Sequence, residues 1–383
     1  MVARTKNPVR RVALKQERLA ARLREKIVSG ILKPGDRLPN RDELVRDTGL
    51  SPITVQAAID RLVADGFLRA RTGQGTFVAD QPPHLSSIAI AFPTHPGDHY
   101  LSPWSKFCKA LDRAISTYAR RAQRKVKTLY DVNGHEDSES QQMLVQDIRA
   151  QRLAGVIFAE PPFGLVRHPI VEVPDLPRVG FMHENRQFPT IKAVRHDFEG
   201  LVTRAMQYFA SRGRKRIAFL NASSWDPGHE ALTLKAAAEA GMTTRPYWSQ
   251  AVHPFYPQWA RRAVHLIMHD GQHERPDALF VLDDHLALEA QYGLMDAGVV
   301  VGDAIDVIAH ANFPIDYPDP LPVVRLGFYA PASLQTCIDL IDRMRRQEEV
   351  PDITILPAVF QHELPAETHG RRTHQDALMG LGR

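Results

Sequence analysis

The stretch Leu38–Val78, LPNRDELVRDTGLSPITVQAAIDRLVADGFLRARTGQGTFV, decides how the N-terminal part of the chain folds. Asn40 followed three residues later by Glu43 is a helix-start signal: the Asn side chain accepts from an orphan backbone N–H while the Glu reaches back to the cap. Gly49 stops that helix. Ser51-Pro52 opens a second one, since Ser caps well and Pro is tolerated at the first helical position. Val55, Ile59, Leu62 and Val63 recur at helical spacing, which buries one stripe and leaves Ile53, Thr54, Gln56, Ala57 and Asp60 nearer the other face. Gly66 ends the helix. Phe67 to Arg71 and Thr76 to Ala79 then alternate as two strands around Thr72-Gly73-Gln74-Gly75, a turn that needs glycine for positive φ.

Helix, turn, helix and hairpin make a winged helix-turn-helix, whose second helix is shaped for a major groove. Glu17 to Ser29 supplies a preceding helix with Leu19, Leu23 and Ile27 on one face. Charge agrees with a nucleic-acid role: residues 1–80 hold 16 Lys and Arg against 9 Asp and Glu, a net of +7, so the other 303 carry −3 of the chain's +4. With its exit IVSGILKPGDRLP, core DELVRDTGLSPITVQAAIDRLVADGF and wing TGQGTFV, the region 15–79 resembles the GntR family of bacterial transcription regulators. That resemblance implies double-stranded DNA as partner. Ser51, Ile53, Thr54 and Gln56 are then expected at the groove, and Arg41, Arg69, Arg71 and a basic N-terminal arm (1–14) at phosphates. The wing Thr72, Gly73, Gln74 and Gly75 is expected in an adjacent minor groove. The sequence departs from the family at Asp42, Pro52 and Gln56, where many members carry contacting arginines.

A chain of 383 residues with 44% hydrophobic and 24% charged residues has room for two or three domains of ordinary globular composition. It has no apolar run of about 18 residues for a membrane span and no apolar stretch behind its basic start, so a cytoplasmic protein with no membrane partner is expected. Its two cysteines, Cys108 and Cys337, are far apart in sequence and read as buried thiols. Residues 364–383 have no core-forming period and read as a flexible tail.

Residues 80–87, DQPPHLSS, read as an extended, semi-rigid linker because of Pro82-Pro83. Beyond it, short apolar runs such as Ile88 to Phe92, Gly155 to Phe158 and Ala278 to Leu282 alternate with longer helical ones such as Ser105 to Ala122 and Glu199 to Arg212. Such alternation means parallel sheets covered by helices, an α/β architecture. Within 88–363, AVRHDFEGLVTRAMQYFASRGRKRIAFLN, HEALTLKAAAEAGM and RPDALFVLDDHLALEAQYGLMDAGVVVGDAIDVIAHAN look like the effector domain of LacI-type regulators. The resemblance implies the two-lobed periplasmic-binding-protein fold and the layout of arabinose-responsive repressors. The 277 residues from Ser87 to Glu363 suit that domain better than the shorter sensors found behind other GntR heads.

In such folds a ligand lies between lobes at the carboxyl ends of parallel strands. That rule selects Tyr100, Trp104, Glu160, Asp197, Trp225, His229, Asp284 and Asn312, a mixture of aromatic faces and planar polar groups suited to a sugar-like effector. By resemblance Asp284 matches the family's effector-binding Asp, His229 stands where many relatives have Arg, and Trp248 lies near a family aromatic. Asp197 is equally placed to cap the helix after it. Of the 17 histidines, His265 and His269 are four apart on a helix, but no ligand set of zinc type joins them and no metal or other cofactor is expected. No GxSxG elbow, phosphate loop or HExxH helix occurs, so no catalytic set is expected. The reading is a homodimeric, ligand-controlled repressor; the alternative is a binding protein whose winged head mediates assembly.

Overall fold

The computed structural model describes residues 8–97, 105–121, 124–222 and 227–365; Tyr100, Trp104 and Trp225, and the tail from 366, lie outside them. The head comprises α1 (Pro8–Val28), α2 (Arg41–Thr48), α3 (Pro52–Ala64) and the antiparallel pair β1 (Leu68–Arg71) and β2 (Gly75–Val78). Asn40 Oδ1 accepts from Glu43 N at 2.9 Å and Glu43 Oε2 from Asn40 N at 2.7 Å, closing the capping box, and Gly49 ends α2 at φ 65°. The α3 stripe is Val55, Ala58, Ile59 and Leu62, packed on Leu19, Leu23, Ile27 and Phe67; Val63 lies one step round the helix and is exposed. Helix α1 begins at Pro8, inside the stretch read as an irregular arm. Pro8 suits a first helical position, and Ala13, Leu14, Lys15 and Gln16 are good helix formers even without an apolar period.

The segment read as an extended linker is instead docked. Pro83 starts a single helical turn, α4 (Pro83–Ser86), and Ser87 already belongs to β3 (Ser87–Ala91). Pro83 packs against Gly66, where an added Cβ would meet its Cγ at 3.4 Å, and the His84 ring stacks on Phe67 with centroids 5.8 Å apart. Arg345 Nη1 donates to Leu85 O at 2.8 Å. Beside this turn Asp65, the residue that ends α3, has a side chain only 6% exposed and meets Arg24 at 3.5 Å, Arg61 at 3.6 Å and Arg152 at 2.8 Å. Arg152 also pairs with Asp147 at 2.8 Å, and Asp147 with Lys127 at 2.5 Å, so one charge network runs from the end of the reading helix into the next domain.

Burial, then Arg345, pushes His84 down to about 4. The unfolded imidazole, with an ordinary value of 6.5, therefore takes up its proton first. The contribution of His84 to stability is full above that pH and is lost as pH falls toward about 4. Urea midpoints of the full chain are expected to drop between pH 7.5 and pH 5, and less in His84→Phe, which keeps the ring stack without the titration.

The rest of the chain forms two lobes. The first holds a six-stranded parallel sheet in the order β13-β7-β6-β5-β3-β4, made of β3, β4 (Lys125–Leu129), β5 (Gly155–Phe158), β6 (Arg178–Phe181), β7 (Lys192–His196) and β13 (Ile353–Leu356). Helices α5 (Lys106–Arg121), α6 (Glu139–Arg149), α7 (Pro169–Glu172) and α12 (Ala330–Arg345) belong to it. The second has the order β14-β12-β11-β10-β8-β9. Its strands are β8 (Ile217–Ala222), β9 (Ser249–Val252), β10 (Ala278–Val281), β11 (Asp306–Phe313), β12 (Val324–Tyr329) and β14 (Val359–Phe360), with only β14 antiparallel. Helices α8 (Phe198–Ser211), α9 (Pro227–Glu239), α10 (Gln258–Met268) and α11 (Ala287–Asp296) accompany it. The chain crosses between lobes after β7, after β12 and after β13, so any relative motion of the lobes turns on these three strands.

Candidate functional site

Strand ends of both lobes open on one cleft of about 670 Å³. From the first lobe come Ser105, Lys106 and Phe107 at the start of α5, Glu160 after β5, Phe181 and His183, and Arg195 and His196 at the end of β7. The second contributes Phe198, His229, Asp283, Asp284, His285, His310, Asn312 and Phe328. Asp284 is its polar centre: Oδ2 accepts from Asn312 Nδ2 at 2.9 Å and from the Tyr317 hydroxyl at 2.8 Å, and that hydroxyl accepts from Asn312 N at 2.7 Å. Burial first, then Asp284, raises the Tyr317 phenol, so it remains a donor. Lys106 crosses from the other lobe to donate to Asp284 O and lies 5.0 Å from the Tyr317 ring. Burial lowers the Lys106 ammonium, against the opposing pull of Asp284. Arg325 covers the same ring at 4.1 Å and is held by Asp319, with its Nε donating to Oδ2 at 2.9 Å.

The aromatic wall is built around His196, stacked on Phe328 at 4.2 Å with Phe107 edge-on at 4.6 Å. Burial, then His310, pushes His196 down to about 3, and burial lowers His310 as well, so both rings are neutral. The His196 Nε2 is buried with no hydrogen-bond partner. Glu160 accepts from the Cys108 thiol at 3.2 Å, a thiol that burial pushes up. Asp283 holds the His285 amide at 2.8 Å and its Nδ1 at 3.1 Å; burial raises this carboxyl, but the His285 contacts outweigh it and leave it below the ordinary value.

Of the residues picked from sequence, the cleft brings together Glu160, His229, Asp284 and Asn312. Trp248 is not among them: it is wholly buried in the core of the second lobe, because a large ring after α9 fills the space under β8 and α10. Asp197 caps α8, its Oδ1 accepting from Gly200 N at 2.9 Å, and does not line the cleft. Sequence reasoning missed Lys106, Arg195, His196, His310 and Phe328. The signal for Arg195 and His196 was their place directly before Asp197, on a strand not recognised as one. Asp283, Asp284 and His285 have ligand atoms within 4.8 Å of one another, the one such trio among the described residues, though all three are engaged in the bonds above. The His265 and His269 rings are 5.7 Å apart and gain no third partner of that kind.

On the head, Ser51 Oγ caps α3 and lies 2.8 Å from Thr54 Oγ1, so Thr54, expected at base edges, is buried. Ile53, at 81% exposed, and Gln56, held by Asp60 at 2.8 Å, point outward from the first half of the helix. Arg69 pairs with Asp80, Arg41 approaches Asp42 at 3.9 Å, and Arg71 lies over Phe77 at 5.1 Å. The wing turns at Gly73 and Gly75, both at positive φ.

Residues 15–78 match the bacterial regulatory proteins of the gntR family, and residues 206–359 match the periplasmic binding protein-like domain. The chain joins a head that matches the gntR family to a periplasmic binding protein-like domain. It is a DNA-binding transcription regulator. The regulator is 21% identical over 375 residues to an arabinose metabolism transcriptional repressor of Halalkalibacterium halodurans, covering 91% of this chain and 96% of that one. A mannosyl-D-glycerate transport/metabolism system repressor of Escherichia coli is 41% identical over 63 residues, 16% of this chain and 26% of that protein. Among solved structures, a LacI family regulator from Arthrobacter in complex with lactose covers 72% of this chain and 97% of its own at TM-score 0.52 and 14% identity. The regulator CcpA of Lactococcus lactis does so with 72%, 97%, 0.51 and 15%. Both show the fold of the regulator's second part. No described helix of the regulator is long and apolar enough to cross a membrane.

Proposed function

We propose that the regulator is a cytoplasmic repressor that binds a pseudo-palindromic operator as a homodimer, and that a sugar-like molecule held between its lobes changes its grip on DNA. The observation that carries this reading is the Asp284–Asn312–Tyr317 cluster, whose Asp284 and Asn312 line the same cleft as Phe107, Phe181 and Phe328. A sugar needs both kinds of wall, planar polar groups for its hydroxyls and aromatic faces for its C–H surface. The full-length likeness to an arabinose repressor points the same way. Thermal unfolding of the full chain against a panel headed by L-arabinose tests it. A ligand at about 100 times its Kd adds about 2.7 kcal/mol, several degrees of melt. A flat panel would remove the sugar reading.

Ile53 and Gln56 would face base edges, with Arg41, Arg71 and the basic N-terminus at phosphates. The measurement is operator affinity against salt, expected to fall with a log-log slope of about −0.9 per phosphate neutralised. A salt-independent head would favour the assembly reading instead. For the dimer, Tyr256, Trp259 and Leu266 make an exposed apolar patch on and before α10, beside the edge strand β9. Such a patch suits a self-complementary interface. Trp259→Asp combined with Leu266→Asp is expected to convert dimer to monomer in sedimentation velocity and to weaken operator binding with it.

A further inference from the structure

We propose that the effector carries a carboxylate, a sugar acid of the aldonate or uronate class, and that Arg195 receives it. This rests on the sugar reading of the cleft and narrows it. Among the described residues, Arg195 lines the cleft yet its guanidinium makes no hydrogen bond or ion pair to any protein group, whereas the other cleft cation, Lys106, is engaged by Asp284 and the Tyr317 ring. The cleft carboxylates also have partners on their own chain: Glu160 in Cys108, Asp283 in His285, Asp284 in Asn312 and Tyr317.

A charge closed away from water needs a counter-charge. No protein carboxylate pairs with Arg195, so when the lobes close around a ligand the ligand is the group that can bring it. A guanidinium fork matches a carboxylate through two parallel charge-assisted bonds, stronger than bonds to neutral hydroxyls and lost to a point charge. The neighbouring His196 leaves a buried Nε2 without a partner, able to meet a hydroxyl next to the acid. Hydroxyls farther along the ligand would meet the Asp284 cluster on the opposite lobe. One acid end and one polyol end thus correspond to the two walls.

The test uses the full-length protein and matched pairs: L-arabinose and L-arabinonate, D-galactose and D-galacturonate, D-glucose and D-gluconate. Kd is measured by calorimetry on the native chain, Arg195→Gln and Arg195→Lys. At least one acid is expected to bind tenfold or more tighter than its parent aldose, with the preference erased in Arg195→Gln and partly kept in Arg195→Lys. An aldose that binds as well as its acid, or an acid preference that survives Arg195→Gln, overturns the inference and leaves the sugar reading standing. If neither member of any pair binds a protein that melts cooperatively, both fall together.

Discussion

Replacing Asp65 by alanine is expected to destabilise the head by about 3–5 kcal/mol, the usual cost of removing one partner of a buried ion pair. The size follows from what is left behind. Arg24, whose guanidinium burial already lowers, would face Arg152 and Arg61 with no carboxylate between them. Arg152→Gln is the informative companion. It removes only the half of the network that reaches the second domain, keeping Asp65 with Arg24 on one side and Asp147 with Lys127 on the other. It is therefore expected to leave the head folded but less firmly held to its neighbour, by the Pro83 and His84 contacts alone. Calorimetry of the full chain should then resolve a separate head transition, and amides of α3 should lose hydrogen-exchange protection. Unchanged melting in both variants would show that the network does not fix the head.

Asp284→Ala has the other large expected effect, on response rather than on the head. Its carboxylate is buried and holds the Tyr317 hydroxyl and the Asn312 amide, so truncation strands two polar groups at about 1–3 kcal/mol each if water does not enter. Any effector that uses this cluster should bind at least 100-fold more weakly, about 2.7 kcal/mol. In a reporter strain the operator would become insensitive to the effector while DNA binding in its absence persists. Retained effector binding in Asp284→Ala would move the polyol end away from this cluster and weaken the proposed function at its strongest point.

The head was readable because its signals are local. Asn40 with Glu43, Ser51 with Pro52, and the glycines at 49, 66, 73 and 75 each act within a few residues, and each fixes a start, a stop or a turn. Thr54 was misjudged for a related reason: helical spacing gives an angle round the axis, but the hydroxyl at the third position of the helix is drawn back to its cap. In the two lobes β3, β4, β5, β6, β8, β10 and β11 were visible as apolar runs, whereas β9, β12, β13, β14 and β7 were not; β7 holds Lys192, Arg195 and His196 in five residues. That strand carries charge because its end faces a cleft rather than a core. The same cause hid Arg195, His196 and Phe328, whose proximity is made by the fold bringing three crossings to one place, with no spacing in sequence to announce it. Trp248 shows the opposite error, a residue near the right position in the chain whose side chain fills a core.

The docked joint also bears on how such regulators can arise. Two separate stretches of this chain match different family models, so recombination between genes is an obvious route to the pairing. Yet the junction is not a passive tether: Asp65 and Gly66 on the head answer Arg152 and Pro83 beyond it. A transplanted head lacking an acid at the end of its reading helix would leave Arg152 sharing only Asp147, and one with a bulky residue in place of Gly66 would press on Pro83. Exchangeable heads for this second domain are those that carry the matching pair, a compatibility rule that acts before any operator is read.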